Sequence, residues 1–293
     1  MSTTDVVVLG TGMAGLGAAA RLRDEGLRPQ LYDKNAYPGG HTASHARDGF
    51  IFDEGPHVSF TKDETVRGLF AQAVGGDFLK VDAYIDNYWQ GRFIRHPVIT
   101  NMHGLPTQTV VDCIRDFVQS RQAPPPQIAN YEDWLVASYG RAYAEAFPMK
   151  YTWKYHTTTA ANMSTEWVGP RLYQARLEEV LTGALAPSSP NIHYVQDYRY
   201  PNHGGFVAFL RDLHRASQMH LGHRVTAIDP RARRVSFDNG RTIGYDALVS
   251  SIPLPDLVPM IAGAPADVVA AAGRLACTTV VLVNLGVARA GVS

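Results

Sequence analysis

The chain has 293 residues, of which 27 are Lys or Arg and 27 are Asp or Glu, so its formal net charge is zero. This length has room for about two domains, and the balanced charge leaves no basic surface of the kind that nucleic acid requires. The first residues lack a basic n-region and no apolar run is long enough to cross a bilayer, so we predict neither a signal peptide nor a membrane span. The two cysteines, Cys113 and Cys277, form no CxxC motif, which favours a reducing cytoplasm.

The first predicted element is a strand followed by a glycine-rich turn. Val6–Leu9 is an unbroken apolar run, typical of a parallel strand buried on both faces. Gly10 lets the chain turn, Gly12 removes a side chain that would keep a phosphate from the backbone, and Gly15 lets the next helix lie close to the strand. The N-terminus of that helix offers free N–H groups and a positive dipole end to an anion.

An acid follows at the position where a dinucleotide ribose is bound. The alanine-rich helix ends at Gly26, and a second strand at residues 29–32 leads to Asp33. The Asp33 carboxylate is placed to accept a hydrogen bond from a ribose hydroxyl and would repel a ribose phosphate, which disfavours NADP. Because strand, glycines, helix, second strand and acid occur in order within one βαβ unit, we predict a dinucleotide site.

A second glycine pair decides which dinucleotide is favoured. Gly39 and Gly40 let another loop approach the same pyrophosphate closely. The strand-like segment GFIFDEGPH then leads to a turn at residues 55–57. An NAD enzyme has no need of a second loop, whereas FAD lies extended across its domain, so the pattern favours FAD.

The later elements alternate between helices and strands. We predict a helix at 63–73, a hairpin at 84–98 around Gln90-Gly91, and helices at about 108–119 and 131–146. An amphipathic helix follows Gly204-Gly205, and strands follow at 225–228, 234–237, 242–244 and 247–252.

The motif order GxGxxG, acid, GGxT and FDEGPH resembles the flavoprotein superfamily of amine oxidases, protoporphyrinogen oxidase and phytoene desaturase. It is most similar to the branch around UDP-galactopyranose mutase. Segments 147–167, 198–213 and 225–254 also look like segments of the mutase-like enzymes, so the resemblance spans nearly the whole chain. His41 stands where amine oxidases usually have arginine, which moves the chain toward the mutase-like branch.

The resemblance implies an α/β fold with two interleaved domains. One is a Rossmann-like FAD-binding domain, with a parallel sheet, helices and a small β-meander, formed by residues 1–75 and 201–252. The other is an α+β substrate domain, formed by 76–200 and 253–293 and incomplete at the C-terminus. Because family members continue well beyond the equivalent of Ser293, we expect the apolar residues 278–285 to form a strand without its partner, and flavin to be held poorly.

The resemblance also implies which residues hold FAD. They lie in the two glycine loops, after the second strand and in the flavin-facing turn. The strand beginning at Val225 runs past the adenine in the family, and Ser250 lies near the pyrophosphate. The full set is Gly10, Gly12, Met13, Ala14, Gly15, Asp33, Lys34, Gly39, Gly40, His41, Thr42, Gly55, Pro56, His57, Val225 and Ser250.

Two residues are candidates for chemistry. The family places the segment around His57 beside the isoalloxazine ring, where a histidine can donate to reduced flavin or shuttle a proton. The alternative is a histidine satisfied by backbone groups in a turn. Arg171 is the nearest match to the arginines that hold the substrate diphosphate in mutases. It follows aromatic and cationic residues at 150–156, which suit an anionic substrate or, equally, form a packing layer with snorkelling cations.

The histidine pairs do not predict a metal site. His41 and His45 lie in a loop leading to a strand, where a spacing of four does not place both on one face. His220 and His223 have no third ligand nearby in the sequence. We therefore predict no metal.

Three functional hypotheses follow. The first is an FAD-dependent oxidoreductase that takes a hydride from an organic substrate. The second is a non-redox mutase in which reduced flavin acts on a nucleotide sugar, and the third is an inactive nucleotide-binding fragment. We favour the first because the nucleotide segments match all redox branches, whereas the mutase-specific residues are incomplete. The expected partner is a small-molecule substrate, for which a nucleotide sugar is one candidate.

Overall fold

The computed structural model describes residues 6–122, 127–169, 172–187 and 195–289. The chain divides into two units, one formed by Met1–Lys80 with Arg199–Ser293 and the other by Val81–Tyr198. This division groups the stretch after residue 253 with the first unit, whereas the sequence placed it with the second domain. The assignment of each stretch to cofactor or substrate binding stays a prediction.

The described residues form strands and helices as follows. The strands are β1 (Val6–Leu9), β2 (Gln30–Tyr32), β3 (Ser44–Arg47), β4 (Phe50–Asp53), β5 (Phe78–Asp82), β6 (Asp86–Trp89), β7 (Arg92–Arg95), β8 (Asp197–Pro201), β9 (Gln218–His220), β10 (Val225–Asp229), β11 (Arg234–Phe237), β12 (Thr242–Gly244) and β13 (Ala247–Ser250). The helices are α1 (Met13–Asp24), α2 (Glu64–Ala73), α3 (Thr107–Gln122), α4 (Tyr131–Tyr139), α5 (Arg141–Ala146), α6 (Pro148–His156), α7 (Leu177–Leu185), α8 (Arg211–Arg215), α9 (Leu254–Leu257) and α10 (Ala266–Gly273). No helix in these ranges has the length and apolar character needed to cross a membrane.

A parallel sheet of four strands organises the first unit. Its order is β13-β1-β2-β9, and every neighbouring pair is parallel. All four side chains of β1 are buried, as its unbroken apolar sequence predicts. Leu16 and Ala19 of α1 are fully buried in the same core as Val8. The predicted α/β fold class is confirmed.

Two smaller antiparallel sheets of the first unit adjoin the motifs. Strands β10, β11 and β12 form the predicted meander, and its buried residues share a core with Tyr32 of β2. Strands β3 and β4 form a hairpin that carries the FDEGPH motif, since β4 ends at Asp53. The first two residues of the motif therefore lie in a paired strand, which fixes where the turn at residues 55–57 begins.

The second unit is mostly helical. Its core includes Phe117 of α3, Leu135 of α4 and Val180 of α7, all almost fully buried. The Tyr143 hydroxyl of α5 accepts from the Ile99 N–H at 3.1 Å. Burial is the main factor that raises the pKa of the Tyr143 phenol. The hydroxyl is therefore a neutral structural group.

The predicted helix over 131–146 is wrong in one respect, because it is two helices. Gly140 separates α4 from α5 with φ of 80°. A Cβ atom there would lie 2.4 Å from the carbonyl carbon of Asp116 in α3. The Asp116 carboxylate accepts from the Ala142 N–H at 2.9 Å and so caps the new helix. The break depends on a partner from another helix.

Two further predictions differ from the structure. The helix predicted after Gly204-Gly205 is a 3-10 turn, Phe206–Leu210, followed by the short α8. The strand predicted at 278–285 is not formed, and Val281 and Leu285 there are 85% and 81% exposed. An apolar run needs a neighbouring strand to complete its backbone hydrogen bonds, and the described residues supply none for it.

Candidate dinucleotide-binding site

The two glycine loops predicted from the sequence meet at the carboxyl end of the parallel sheet. Gly12 and Gly39 form an isolated parallel bridge, and the Gly39 N–H donates to the Thr11 carbonyl oxygen at 3.0 Å. A Cβ atom on Gly40 would lie 3.1 Å from the Gly12 Cα atom. The backbones are thus close enough to present one continuous surface.

The glycines of the first loop differ in what their neighbours require. A Cβ on Gly10 would lie 2.1 Å from the Ser251 hydroxyl oxygen, and one on Gly15 would lie 2.0 Å from the Gly10 carbonyl oxygen. The fold itself therefore requires both. Gly12 has φ of −71°, and its Cβ would approach no heavy atom closer than 3.8 Å. A glycine there leaves a cradle that a side chain would fill, as a bound phosphate requires.

Helix α1 presents an open N-terminus beside this cradle. It begins at Met13, with Gly12 as N-cap, no side-chain cap and no acid in the first turn. The first intrahelical bond runs from the Leu16 N–H to the Gly12 carbonyl oxygen at 3.0 Å. The N–H groups of Met13, Ala14 and Gly15 precede it and have no intrahelical acceptor, so they favour an anion.

The Asp33 carboxylate is committed to the first glycine loop. Asp33 is only 8% exposed, and its Oδ2 accepts from both the N–H and the hydroxyl of Thr11, each at 2.7 Å. Its Oδ1 accepts from the Asn35 N–H at 2.9 Å and keeps a lone pair for a further donor. Sequence reasoning missed Thr11, although the sequence places a polar residue between two glycines at this point.

The second glycine loop is held by a polar cluster that sequence reasoning also missed. The Thr42 hydroxyl donates to the Gly39 carbonyl oxygen at 2.6 Å. Oε1 of Glu54 accepts from the Tyr37 hydroxyl at 2.5 Å and lies 2.9 Å from Nε2 of His45. Burial acts to raise the pKa of the Glu54 carboxyl, but these two hydrogen bonds and the nearby histidines lower it overall. The cluster ties the loop to the residue that follows β4.

His57 lies in the turn after Asp53, where its ring has one committed nitrogen. Its Nδ1 lies 3.1 Å from the Gly55 carbonyl oxygen. Because a carbonyl only accepts, the neutral ring carries its proton on Nδ1, and Nε2 is then the acceptor atom of the ring. The ring centroid lies 5.4 Å from that of Phe206. The predicted alternative, a histidine satisfied by backbone groups, therefore applies to Nδ1 alone.

An aromatic stack lies at the end of β2, next to Asp33. The Tyr32 ring stacks on His220 at 4.5 Å and on Phe237 at 4.9 Å. Nε2 of His220 is buried and has no hydrogen-bond partner among the residues that the structure describes. Burial, then Arg241 and His223, lower the pKa of the His220 imidazole. This stack borders the meander that begins at Val225.

The remaining predicted residues are distributed around these loops. Lys34, His41 and Pro56 are exposed, whereas the Val225 side chain is buried in the meander core. The Ser250 hydroxyl, at the end of β13, accepts from the Ile252 N–H at 3.2 Å. Arg171 lies outside the described residues. Among those that are described, no three His, Cys, Asp or Glu side chains cluster as metal ligands.

A parallel sheet, two joined glycine loops and an open helix N-terminus are the features of a Rossmann-like domain, the class of fold that binds dinucleotides. Residues 8–73 match the family of NAD(P)-binding Rossmann-like domains. The chain is 39% identical over 56 residues to 4,4'-diaponeurosporene oxygenase of Staphylococcus aureus, which covers 11% of that protein. It is 40% identical over 58 residues to 4,4'-diapophytoene desaturase of Staphylococcus haemolyticus, which covers 12%.

Solved structures are similar over most of the chain. A reduced UDP-galactopyranose mutase superposes with a TM-score of 0.87 and 27% identity, over 94% of this chain and 62% of the mutase. A structure described provisionally as a protoporphyrinogen oxidase, from Exiguobacterium sp., superposes with a TM-score of 0.66 and 19% identity, over 89% of this chain and 62% of that protein. Putrescine oxidase superposes with a TM-score of 0.55 and 17% identity, over 88% of this chain and 60% of the oxidase. The predicted resemblance to this group of proteins is confirmed, and the chain spans about three fifths of their length.

Proposed function

We propose that the protein is an FAD-dependent oxidoreductase that transfers a hydride from an organic substrate to flavin. The bridge between Gly12 and Gly39 carries the proposal, because it joins two glycine loops beside an open helix N-terminus. A pyrophosphate in this cradle meets backbone on both sides. When bound, FAD supplies the hydride acceptor.

The chain's own residues have distinct tasks in this proposal. The N–H groups at the start of α1 and the loop of Gly39 would hold the pyrophosphate, and Oδ1 of Asp33 would accept a hydrogen bond from the ribose. The backbone at Val225 would border the adenine. His57 offers Nε2 as an acceptor when neutral and as a donor when protonated, so this atom can move a proton. The family resemblance alone supports a role for Arg171 in holding a substrate anion.

Titration with FAD and NAD, followed by flavin fluorescence and absorbance, tests the cofactor. We expect FAD to bind and NAD to bind far more weakly. Gly12→Val should abolish FAD binding while the thermal midpoint of the cofactor-free protein stays close to wild type, since a Cβ at Gly12 meets no heavy atom closer than 3.8 Å.

Gly17→Val is the matched control, because Gly17 lies in the same helix and its Cβ would have no heavy atom within 4 Å. It should bind FAD as the wild type does. Tight binding of NAD with no uptake of flavin would overturn the proposal.

A second candidate is a mutase-like activity on a nucleotide sugar. Helix α6 exposes three aromatic side chains, and Tyr151 stacks on Tyr155 with ring centroids 5.5 Å apart. Lys150 and Lys154 are exposed on the same helix. Aromatic faces with cations suit a base and a diphosphate, and the mutase is 27% identical to this chain.

Two assays separate the candidates. Turnover of UDP-galactopyranose under dithionite would support the mutase, and oxygen consumption with candidate amines would support the oxidoreductase. For the mutase, Tyr155→Ala should weaken UDP binding. Tyr88→Ala, which removes another exposed aromatic ring from the β6–β7 hairpin, should leave it unchanged.

A further inference from the structure

Asp53, the last residue of β4, joins three separate parts of the first unit. Its Oδ1 accepts from the Ser44 hydroxyl at 2.5 Å and from the Phe206 N–H at 3.1 Å. Its Oδ2 accepts from the Tyr200 hydroxyl at 2.6 Å. Tyr200 and Phe206 follow Asp53 by 147 and 153 residues. One carboxylate therefore fixes the β3–β4 hairpin to β8 and to the 3-10 turn Phe206–Leu210.

The start of that turn is shaped around the carboxylate. Gly205 has φ of 74°, and a Cβ atom there would lie 2.4 Å from the Ser44 Oγ and 2.8 Å from Oδ1 of Asp53. The Ser44 Oγ also accepts from the Val207 N–H at 3.2 Å. The first two N–H groups of the turn are thus held by Asp53 and Ser44, as a capping side chain holds a helix start.

Two successive residues of the turn contact the two loops of the candidate site. A Cβ atom on Gly39 would lie 3.3 Å from a Val207 methyl carbon, so Val207 packs directly against the second glycine loop. The neighbouring ring of Phe206 lies 5.4 Å from the His57 ring. A shift of this turn would move both loops together.

We propose that Asp53 is a positioning residue for the cofactor, acting through Phe206 and Val207 on the His57 turn and on the Gly39 loop. In this role Asp53 acts through these protein contacts and not by touching the cofactor. The proposal rests on the proposed binding of FAD and deepens it, because it assigns the relative placement of the pyrophosphate loop and the flavin-facing histidine to one carboxylate.

Tyr200 supports this assignment from the opposite side of the carboxylate. Burial, followed by the hydrogen bond and the charge of Asp53, raises the pKa of the Tyr200 phenol. The hydroxyl therefore stays protonated and donates to Asp53 throughout the working pH range. Tyr200→Phe removes this donor and keeps the ring, so it perturbs the carboxylate without replacing it.

The test compares Asp53→Asn and Tyr200→Phe with wild type. The measurements are FAD affinity from flavin fluorescence, the absorption bands of bound flavin, and the thermal midpoint of the cofactor-free protein. We expect Asp53→Asn to weaken FAD by about tenfold or more, the equivalent of one hydrogen bond to a charged group. We expect it to alter the flavin bands, with Tyr200→Phe shifting both in the same direction by less.

Asp48→Asn is the control, because Asp48 is exposed at the tip of the same hairpin. It should match wild type in all three measurements. The proposal is overturned if Asp53→Asn binds FAD with wild-type affinity and bands. It is also overturned if affinity falls only as far as the loss of folded protein explains, with unchanged bands.

Tyr200→Phe keeps the test decisive if Asp53→Asn does not fold, since unchanged affinity and bands in that variant also overturn the proposal. Wild-type protein that takes up no FAD overturns the proposed function together with this inference. If the wild-type protein takes up FAD and both variants match it in affinity and flavin bands, the positioning role alone is overturned.

Discussion

At the scale of single residues, one carboxylate serves two neighbours. Oδ2 of Asp33 accepts two hydrogen bonds from Thr11, which fixes the turn between Gly10 and Gly12. Among the described residues, Oδ1 accepts the Asn35 N–H alone, which leaves it a lone pair for the proposed ribose hydroxyl. Substitutions at Thr11 and at Asp33 can therefore distinguish the role of Oδ2 in the turn from the role of Oδ1.

Asp33→Ala should weaken FAD by about 1 to 3 kcal/mol, the usual cost of losing hydrogen bonds to a charged group. Thr11→Val removes only the hydroxyl that reaches Oδ2, so it should retain most of the affinity. Isothermal titration of both variants checks this. Equal losses would mean that Asp33 acts on the turn alone and not on the ribose.

Stability should fall in mild acid because of His220. Burial, Arg241 and His223 lower the pKa of His220 from its ordinary value of 6.5, so the folded protein binds fewer protons there than the unfolded chain. Its contribution is complete above the unfolded pKa of 6.5 and is lost as the pH falls from there through the lower pKa of the folded state. Burial of His214 acts in the same direction.

We expect the thermal midpoint to decrease from about pH 7 to about pH 5 in scanning fluorimetry. His220→Phe keeps a ring against Tyr32 and should make the decrease shallower. His203→Gln, which replaces an exposed histidine, is the control. An unchanged slope in His220→Phe would contradict the assignment.

At the scale of elements, substitutions at two helical glycines distinguish the effect of packing from that of helix propensity. A Cβ on Gly183 of α7 would lie 1.9 Å from the Thr100 carbonyl oxygen, whereas one on Gly68 of α2 would meet nothing within 4 Å. We expect Gly183→Ala to destabilise the protein by about 1 to 3 kcal/mol through overpacking. Gly68→Ala should stabilise it by about 0.5 to 1 kcal/mol. Urea unfolding measures both, and a gain from Gly183→Ala would refute the close approach of α7.

The elements that could be predicted are those whose signals are local. The apolar run of β1, the GxGxxG turn and the alternation of the meander are each read within one short stretch. The break at Gly140 could not be predicted, because it depends on Asp116 in another helix. The apolar residues at 278–285 have strand-like composition, and the described structure pairs no strand with them.

The candidate site divides in the same way. Glycine spacing revealed both loops, because a close backbone approach needs glycine at fixed positions. Thr11 and Asp33 are 22 residues apart, and the hydrogen bond between Phe206 and Asp53 joins residues 153 positions apart. Hydrogen-bonded pairs at such separations leave no pattern in a single sequence. They become visible only when the fold brings the segments together.

At the scale of the whole molecule, the exposed segment around Val281 and Val283 should promote self-association. Both side chains are exposed, as are Val280 and Leu285, and contiguous apolar surface favours association. We expect Val281→Lys with Val283→Lys to reduce concentration-dependent self-association in light scattering, with FAD binding unchanged.

The control adds the same two charges elsewhere, as Gln72→Lys with Gln119→Lys on exposed helix positions. It should leave self-association at the wild-type level. An equal reduction in both double variants would assign the effect to net charge rather than to the apolar segment.

The sheet order has a consequence for how the chain matures on the ribosome. β1 lies between β2 and β13. The Ser251 N–H donates to the Leu9 carbonyl oxygen at 2.9 Å, and this bond, which closes the arrangement, joins residues 242 positions apart. At roughly 5 to 20 residues per second, translation takes about 10 to 50 seconds to cover that distance. Throughout that interval the most apolar strand of the domain has one open edge, which is when a nascent-chain chaperone has most to bind. We therefore expect FAD, bound as proposed above, to enter only after β13 has been synthesised and to stabilise chains whose sheet has closed.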